Sequence, residues 1–194
     1  MIVARLRSAS GLILFAFVLS HLVNHAVGLV SLDAANAGLD VFRAVWGNPV
    51  SSLLVTIAFV VHLVIALITL YRRRTLRMRP WEAAQLILGL MIPVLLAEHV
   101  IGTMGADRVF DVRTDYIYIQ TVFWIAAPIN AIGLILLVIT LSYHSMLGVQ
   151  VVVEDYVHAG WLKLSTLILT NFAHVALGTA GVFAILRIAF GERA

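Results

Sequence analysis

Histidines interrupt the most apolar stretches of this 194-residue chain, where a polar side chain is costly and needs a partner. His62 and His144 each lie about nine residues from the same predicted end of their apolar runs, which puts both imidazoles at one depth if the runs are helices. His99 and either His21 or His25 lie nearer the opposite ends. The sequence therefore places imidazoles from four runs at two depths.

Paired imidazoles at one depth can bind a haem from both faces, as facing helices of a bundle do. The chain has no cysteine, which excludes disulfides, thiolate ligands, iron–sulfur clusters and covalent c-type haem. Two axial histidines leave no open iron position, so electron transfer is the expected chemistry. We predict two haem b groups and their iron. The alternative is a haem-free structural or transport bundle whose histidines only form hydrogen bonds.

Other polar residues in the runs have less defined roles. His21 and His25 lie four residues apart on one face, so only one can bind iron, and we favour His21. His174 has no partner at its depth and, with Asn171, is predicted to form interhelical hydrogen bonds or to lie beside a haem propionate. Glu98 either extends to the interface or takes part in proton transfer.

A second candidate site follows His144 along the chain. Gly148, one turn later, removes a side chain that would keep a large flat ligand from the backbone. In a continuous helix, Asp155 lies on the same face, roughly 16 Å further along the axis. Tyr156 can donate a hydrogen bond to a ligand carbonyl while Asp155 relays protons, so we predict a second site here. Alternatively, Glu154 and Asp155 only cap a turn and Tyr156 is an ordinary interface residue.

Composition identifies the environment that positions these residues. The chain is 62% hydrophobic and 12% charged, with a mean hydropathy of +1.02, values typical of an integral membrane protein. We predict one all-α domain spanning residues 1–194, a five-helix transmembrane bundle enclosing two stacked haem levels. The first run is too long and too polar for the alternative, a cleavable signal peptide. The predicted helices cover residues 11–30, 50–71, 83–104, 116–153 and 164–190 approximately.

Basic residues set the predicted orientation. Five arginines lie between Arg72 and Arg79, and the positive-inside rule places that loop in the cytoplasm. The N-terminus is then cytoplasmic and the C-terminus outside, in a bacterial inner membrane. The segment from Ser31 to about Asn48 is predicted to be a polar connection. The net charge is +3, and the basic residues lie mainly at segment ends. This distribution argues against a nucleic-acid partner, and we expect membrane lipid to surround the chain.

Five motifs then carry a resemblance: Arg5-Leu6-Arg7-Ser8 with Gly11, His21-Leu22-Val23-Asn24-His25-Ala26, His62, His99-Val100, and His144 with Gly148. The chain resembles the five-helix dihaem cytochrome b anchor of succinate dehydrogenases and fumarate reductases. The resemblance implies that His62 and His144 bind an inner haem, and that His21 and His99 bind an outer one. It also implies cytoplasmic flavoprotein and iron–sulfur partners, with the hydroxyls of Ser8 and Ser10 near the quinone.

The segment Val152–His158 further resembles the D-type subunit of bacterial succinate dehydrogenases, whose Asp-Tyr pair lies at the ubiquinone site. This likeness implies the same role for Asp155 and Tyr156. We therefore expect an electron-transfer subunit of a succinate:quinone oxidoreductase-type complex, rather than an enzyme on its own.

A second resemblance rests on Tyr71–Met78, on Leu88-Gly89 with Ile92-Pro93, and on His99–Thr103. These segments resemble the dihaem membrane domain that precedes class III adenylyl cyclases in some bacteria. The likeness implies an alternative role, a quinone-sensing module that regulates a cyclase. A cytoplasmic cyclase domain would require a sixth helix, so we favour the electron-transfer subunit.

Overall fold

The computed structural model describes residues 2–126 and 128–190, which form helices and loops with no β-strand among them. Five helical segments in these residues are long and apolar enough to cross a membrane. The chain is a multi-pass membrane protein, and the predicted all-α fold with five membrane-spanning helices is confirmed. The helices are α1 (Ile2–Val27), α2 (Leu32–Trp46), α3 (Pro49–Tyr71), α4 (Pro80–Val100), α5 (Ala106–Phe110), α6 (Tyr116–Ala126), α7 (Pro128–Tyr156) and α8 (Gly160–Phe190).

Helix α1 begins at Ile2, well before the predicted start at about Gly11. Residues 2–10 are mostly good helix formers and include no proline, so nothing in this segment stops the helix. The Ser10 hydroxyl donates to the Leu6 carbonyl at 2.7 Å, which satisfies its hydrogen-bonding potential within the helix. The basic N-terminal segment and its two serines are therefore helical.

Helix α2 occupies most of the segment that was predicted to be a polar connection, so the connection between the first two spans is itself helical. The Ser31 hydroxyl caps the helix by accepting from the Ala34 amide at 3.0 Å, as serine does at helix N-termini. Gly47 ends it, with its amide donating to the Arg43 carbonyl at 2.7 Å. Helix α2 is shorter and more polar than a membrane span, and it packs against α1, α3 and α6.

The third and fourth apolar runs also differ from the predicted bounds. Helix α4 continues through a π-helical turn (Ile101–Gly105) into α5, which ends at Phe110. The described parts of the fourth run are α6 and α7, and α7 ends at Tyr156 rather than at about Val153.

The helices pack mainly as neighbouring pairs, α7 with α8, α4 with α7 and α1 with α3. A buried apolar cluster joins the ends of several of them, and consists of Leu22, Ala35, Tyr116, Ala131, Val138 and Ile185. Helix α2 thus contributes to the core through Ala35. This arrangement directs side chains from α1, α3, α4 and α7 towards one interior.

Candidate functional site

Two histidines from non-adjacent segments meet in the interior of the bundle. The imidazoles of His62 on α3 and His144 on α7 have ring centres 6.5 Å apart, and their planes are perpendicular, at 90°. The structure therefore brings together the two side chains that the sequence placed at the inner depth.

Helix α1 holds the His62 ring from one side. His62 Nδ1 lies 3.2 Å from the Ser10 hydroxyl oxygen. Since that hydroxyl donates its own proton to a backbone carbonyl, it is free to accept the Nδ1 proton of His62. A Cβ atom at Gly11 would lie 3.3 Å from His62 Cε1, so a small residue lets α1 approach the ring closely.

Helix α4 holds the His144 ring in the same way. His144 Nδ1 lies 3.1 Å from the Gln85 carbonyl oxygen. A carbonyl only accepts, so Nδ1 carries the proton and Nε2 presents a lone pair. A Cβ atom at Gly89 would lie 2.8 Å from His144 Cε1, a separation that real Cβ atoms do not tolerate. Glycine is thus required beside this ring.

The outer cluster contains three histidines. The ring centre of His21 lies 5.9 Å from that of His99 and 4.5 Å from that of His25. The Nε2 atoms of His21 and His25 are 3.1 Å apart. His21 Nδ1 is buried and has no hydrogen-bond partner among the described residues. The cluster therefore offers His99 either of two partners on α1.

Tyr116 supports the outer cluster from the start of α6. Its hydroxyl lies 3.2 Å from His25 Nδ1 and accepts from Asn24 Nδ2 at 3.3 Å. The phenol remains protonated at neutral pH, so it orients His25 through a neutral hydrogen bond.

Aromatic side chains cover the outer cluster. Phe17 stacks on His21 with ring centres 5.7 Å apart and planes at 12°. Phe42 of α2 lies 4.9 Å from the same imidazole and 5.5 Å from Phe17. Helix α2 therefore helps to shield the outer histidines, a role that the sequence did not reveal because the segment was predicted to be a connection.

The inner set of imidazoles contains two histidines, and the outer set contains three. Among residues 2–126 and 128–190, no group of three or more histidine, aspartate or glutamate side chains is arranged to hold a metal ion. A haem needs only two axial protein ligands, because the macrocycle supplies the remaining ones. The paired imidazoles thus fit the donor set that a haem requires.

The predicted quinone residues do not form one cluster. Asp155 and Tyr156 are exposed at the end of α7, and neither forms a side-chain hydrogen bond or ion pair within the described part of the chain. Ser10 is buried against His62, while Ser8 is only partly buried. A Cβ atom at Gly148 would meet Gln85 Nε2 at 3.5 Å, an ordinary contact, so Gly148 lies beside an amide rather than a histidine.

The other intramembrane polar residues have separate partners. Gln150 on α7 donates to Asn171 Oδ1 on α8 at 2.9 Å, which confirms the predicted interhelical bond for Asn171. His174 instead bonds to the Thr170 carbonyl of its own helix at 2.7 Å. A Cβ atom at Gly133 would lie 3.0 Å from the Glu98 carboxylate, which places that carboxylate against α7.

Comparison with known proteins gives one informative similarity. Over 68 residues the chain is 35% identical to the succinate dehydrogenase hydrophobic membrane anchor subunit of Rickettsia bellii (strain RML369-C). The match covers 34% of this chain and 54% of the relative, so the chain spans about half the length of this curated relative. No family model and no solved structure matches the chain.

Proposed function

We propose that this chain is the membrane anchor of a succinate dehydrogenase or fumarate reductase-type complex. It binds two haem b groups and exchanges electrons between cytoplasmic iron–sulfur and flavoprotein subunits and membrane quinone. The observation that carries this proposal is the pairing of His62 with His144 and of His21 with His99. The similarity to a succinate dehydrogenase membrane anchor supports the choice of partner.

The inner pair of imidazoles, His62 and His144, would hold one haem. His62 and His144 are separated by 6.5 Å. The Gln85 carbonyl holds the proton on His144 Nδ1 and leaves Nε2 as the ligand atom. The Ser10 hydroxyl can likewise accept the Nδ1 proton of His62 and leave its Nε2 as the ligand atom.

The outer cluster supplies His99 and one α1 histidine to the second haem. His21 and His99, with ring centres 5.9 Å apart, would hold this haem. His25 is the alternative ligand, since Tyr116 contacts its Nδ1 as a neighbouring donor or acceptor commonly does for a metal-binding imidazole. Phe17 and Phe42 exclude water from this level.

Haem b with two imidazole ligands supplies one-electron transfer and no open position for substrate. The residues around it orient the imidazoles and control their basicity. At the opposite end of α7 from Pro128, Asp155 and Tyr156 are accessible, which suits exchange of a quinone and its protons with water. The phenol of Tyr156 donates to a quinone carbonyl, and the Asp155 carboxylate relays protons.

The predicted orientation indicates on which side of the membrane the partner subunits would bind. Helix α4 starts directly after the loop between Arg72 and Arg79 and leads away from that side of the membrane. Helix α7 returns to the same side, so Asp155 near its end lies on the side of the basic loop. The positive-inside rule makes this side cytoplasmic. The quinone residues and the arginine loop then face the soluble subunits.

Purification of the native protein with a pyridine haemochrome assay tests the proposal. We expect two non-covalent haems b per chain, both low-spin, together with a co-purifying flavoprotein and an iron–sulfur subunit. One haem per chain, or none, would contradict the two-level arrangement. Co-purification with a cyclase and no flavoprotein would instead favour the redox-sensing alternative.

A further inference from the structure

A separate cavity lies at the opposite end of α3 from the arginine loop. Its volume is about 400 Å³, within the range of small-molecule sites, roughly 300–1,000 Å³. The residues that line it are Gly47, Pro49, Ser52, Leu53, Thr56 and Arg108. It contains none of the histidines or quinone residues, so the anchor function does not account for it.

Arg108 gives this cavity a positive charge. Its guanidinium donates to the Ser52 hydroxyl oxygen at 3.4 Å, and the salt bridges of the described residues do not include it. Because Ser52 accepts from Arg108, the hydroxyl proton of Ser52 remains available for a ligand. The Thr56 hydroxyl already donates to the Ser52 carbonyl at 2.8 Å. One guanidinium and one hydroxyl thus present donors to the same space, a combination suited to an oxyanion.

Two helical segments that are long and apolar enough to cross a membrane end beside the cavity, one starting at Pro49 and the other ending at Phe110. An arginine at the end of a span is positioned to contact the charged interface of the bilayer. The phosphate of a phospholipid lies in that interface.

An apolar track leads from the cavity towards the middle of the membrane. Leu53, Ile57, Val60 and Val64 are 60%, 52%, 51% and 45% exposed. Their spacing along α3 puts them on one face of the helix. This track can contact an acyl chain, whereas free phosphate has no apolar part that could contact it.

We propose that this cavity binds the phosphodiester headgroup of an anionic membrane phospholipid. The Arg108 guanidinium pairs with the phosphate, and the Ser52 hydroxyl donates a second hydrogen bond. One acyl chain follows the face that starts at Leu53. The proposal does not depend on haem or on a partner subunit.

Native mass spectrometry of the detergent-solubilised full chain tests this site, with phosphatidylglycerol added as the probe. Arg108→Gln should lower the bound phosphatidylglycerol about tenfold, since a charged hydrogen bond is lost. Arg113→Gln is the matched control. Arg113 is on the same side, its side chain is 72% exposed, and Asp115 pairs with it at 3.8 Å. This control should retain binding.

A second variant guards against misfolding of Arg108→Gln. Ser52→Ala keeps the charge and should weaken binding by about threefold, the effect of one neutral hydrogen bond. Equal retention of phosphatidylglycerol in wild type, Arg108→Gln and Ser52→Ala would overturn the proposal. Binding of inorganic phosphate as tight as that of phosphatidylglycerol would also overturn it, because the apolar track would then contribute nothing.

Discussion

His62 and His144 face each other with their imidazole planes at 90° and their ring centres 6.5 Å apart. Each ring is oriented by a different helix, His62 by Ser10 of α1 and His144 by Gln85 of α4. Four helices therefore contribute to one pair of imidazoles. This arrangement fixes the direction of each ring before any ligand binds, as preorganised metal sites require.

Removing either inner histidine should remove the same haem. His62→Ala and His144→Ala each delete one of two axial ligands, so both should lose the same component in a redox titration followed by absorbance. The other component should remain. His158→Ala, at an exposed position, is the control and should retain both. Loss of different components in the two variants would contradict the pairing.

The outer ligand on α1 can be identified by three substitutions. If His21 binds iron, His21→Ala and His99→Ala should each remove the outer haem component. His25→Ala should keep that component. Tyr116→Phe deletes the hydroxyl that contacts His25 and should then leave the potential of the outer component nearly unchanged. Loss of the outer haem in His25→Ala alone, with a shifted potential in Tyr116→Phe, would identify His25 instead.

Ser10→Ala should alter the inner haem without removing it. Its hydroxyl accepts from His62 Nδ1 in the ligand tautomer, which makes the imidazole a stronger donor to ferric iron. Losing one hydrogen bond should raise the inner potential by about 20 to 60 mV, measured by redox titration. Ser20→Ala on the same helix removes a hydroxyl bonded to Trp46 and should not shift it. A lowered inner potential in Ser10→Ala would contradict this orientation.

Alanine substitutions at Gly89 and Gly148 test two different reasons for a glycine, close contact with a histidine ring and close approach of a bound ligand. Gly89→Ala places a methyl group 2.8 Å from His144 Cε1, so it should displace the imidazole and reduce the inner haem content. Gly148→Ala makes an ordinary contact at 3.5 Å and should preserve the fold by circular dichroism. If the haem lies against Gly148, this variant should also lose haem. Full haem content in Gly148→Ala would show that no ligand approaches there.

Tyr156→Phe should slow quinone exchange and leave both haem spectra intact, because it deletes only a hydroxyl. Asp155→Asn should have the same effect through loss of the proton-relaying carboxylate. Stopped-flow absorbance of the inner haem after addition of quinone measures the rate. Unchanged rates in both variants would place the quinone elsewhere.

The sequence by itself determined the membrane class, the five spans and the depths of the histidines. These follow from properties that are local to the chain. Apolar composition reports the bilayer environment, and a constant rise per residue converts position along a helix into depth. His62 and His144 could therefore be paired from their positions in two runs.

Only the tertiary structure decided which side chains surround those histidines. Ser10, Gln85 and Tyr116 are distant in sequence from the imidazoles they contact, and depth alone does not specify which faces of two helices meet. The role of α2 also required the fold, because a short amphipathic helix has too few apolar residues to be distinguished from a connection. The cavity at Arg108 forms where the Arg108 side chain of α5 reaches Ser52 of α3, and such a space depends on the position of both helices rather than on either helix alone.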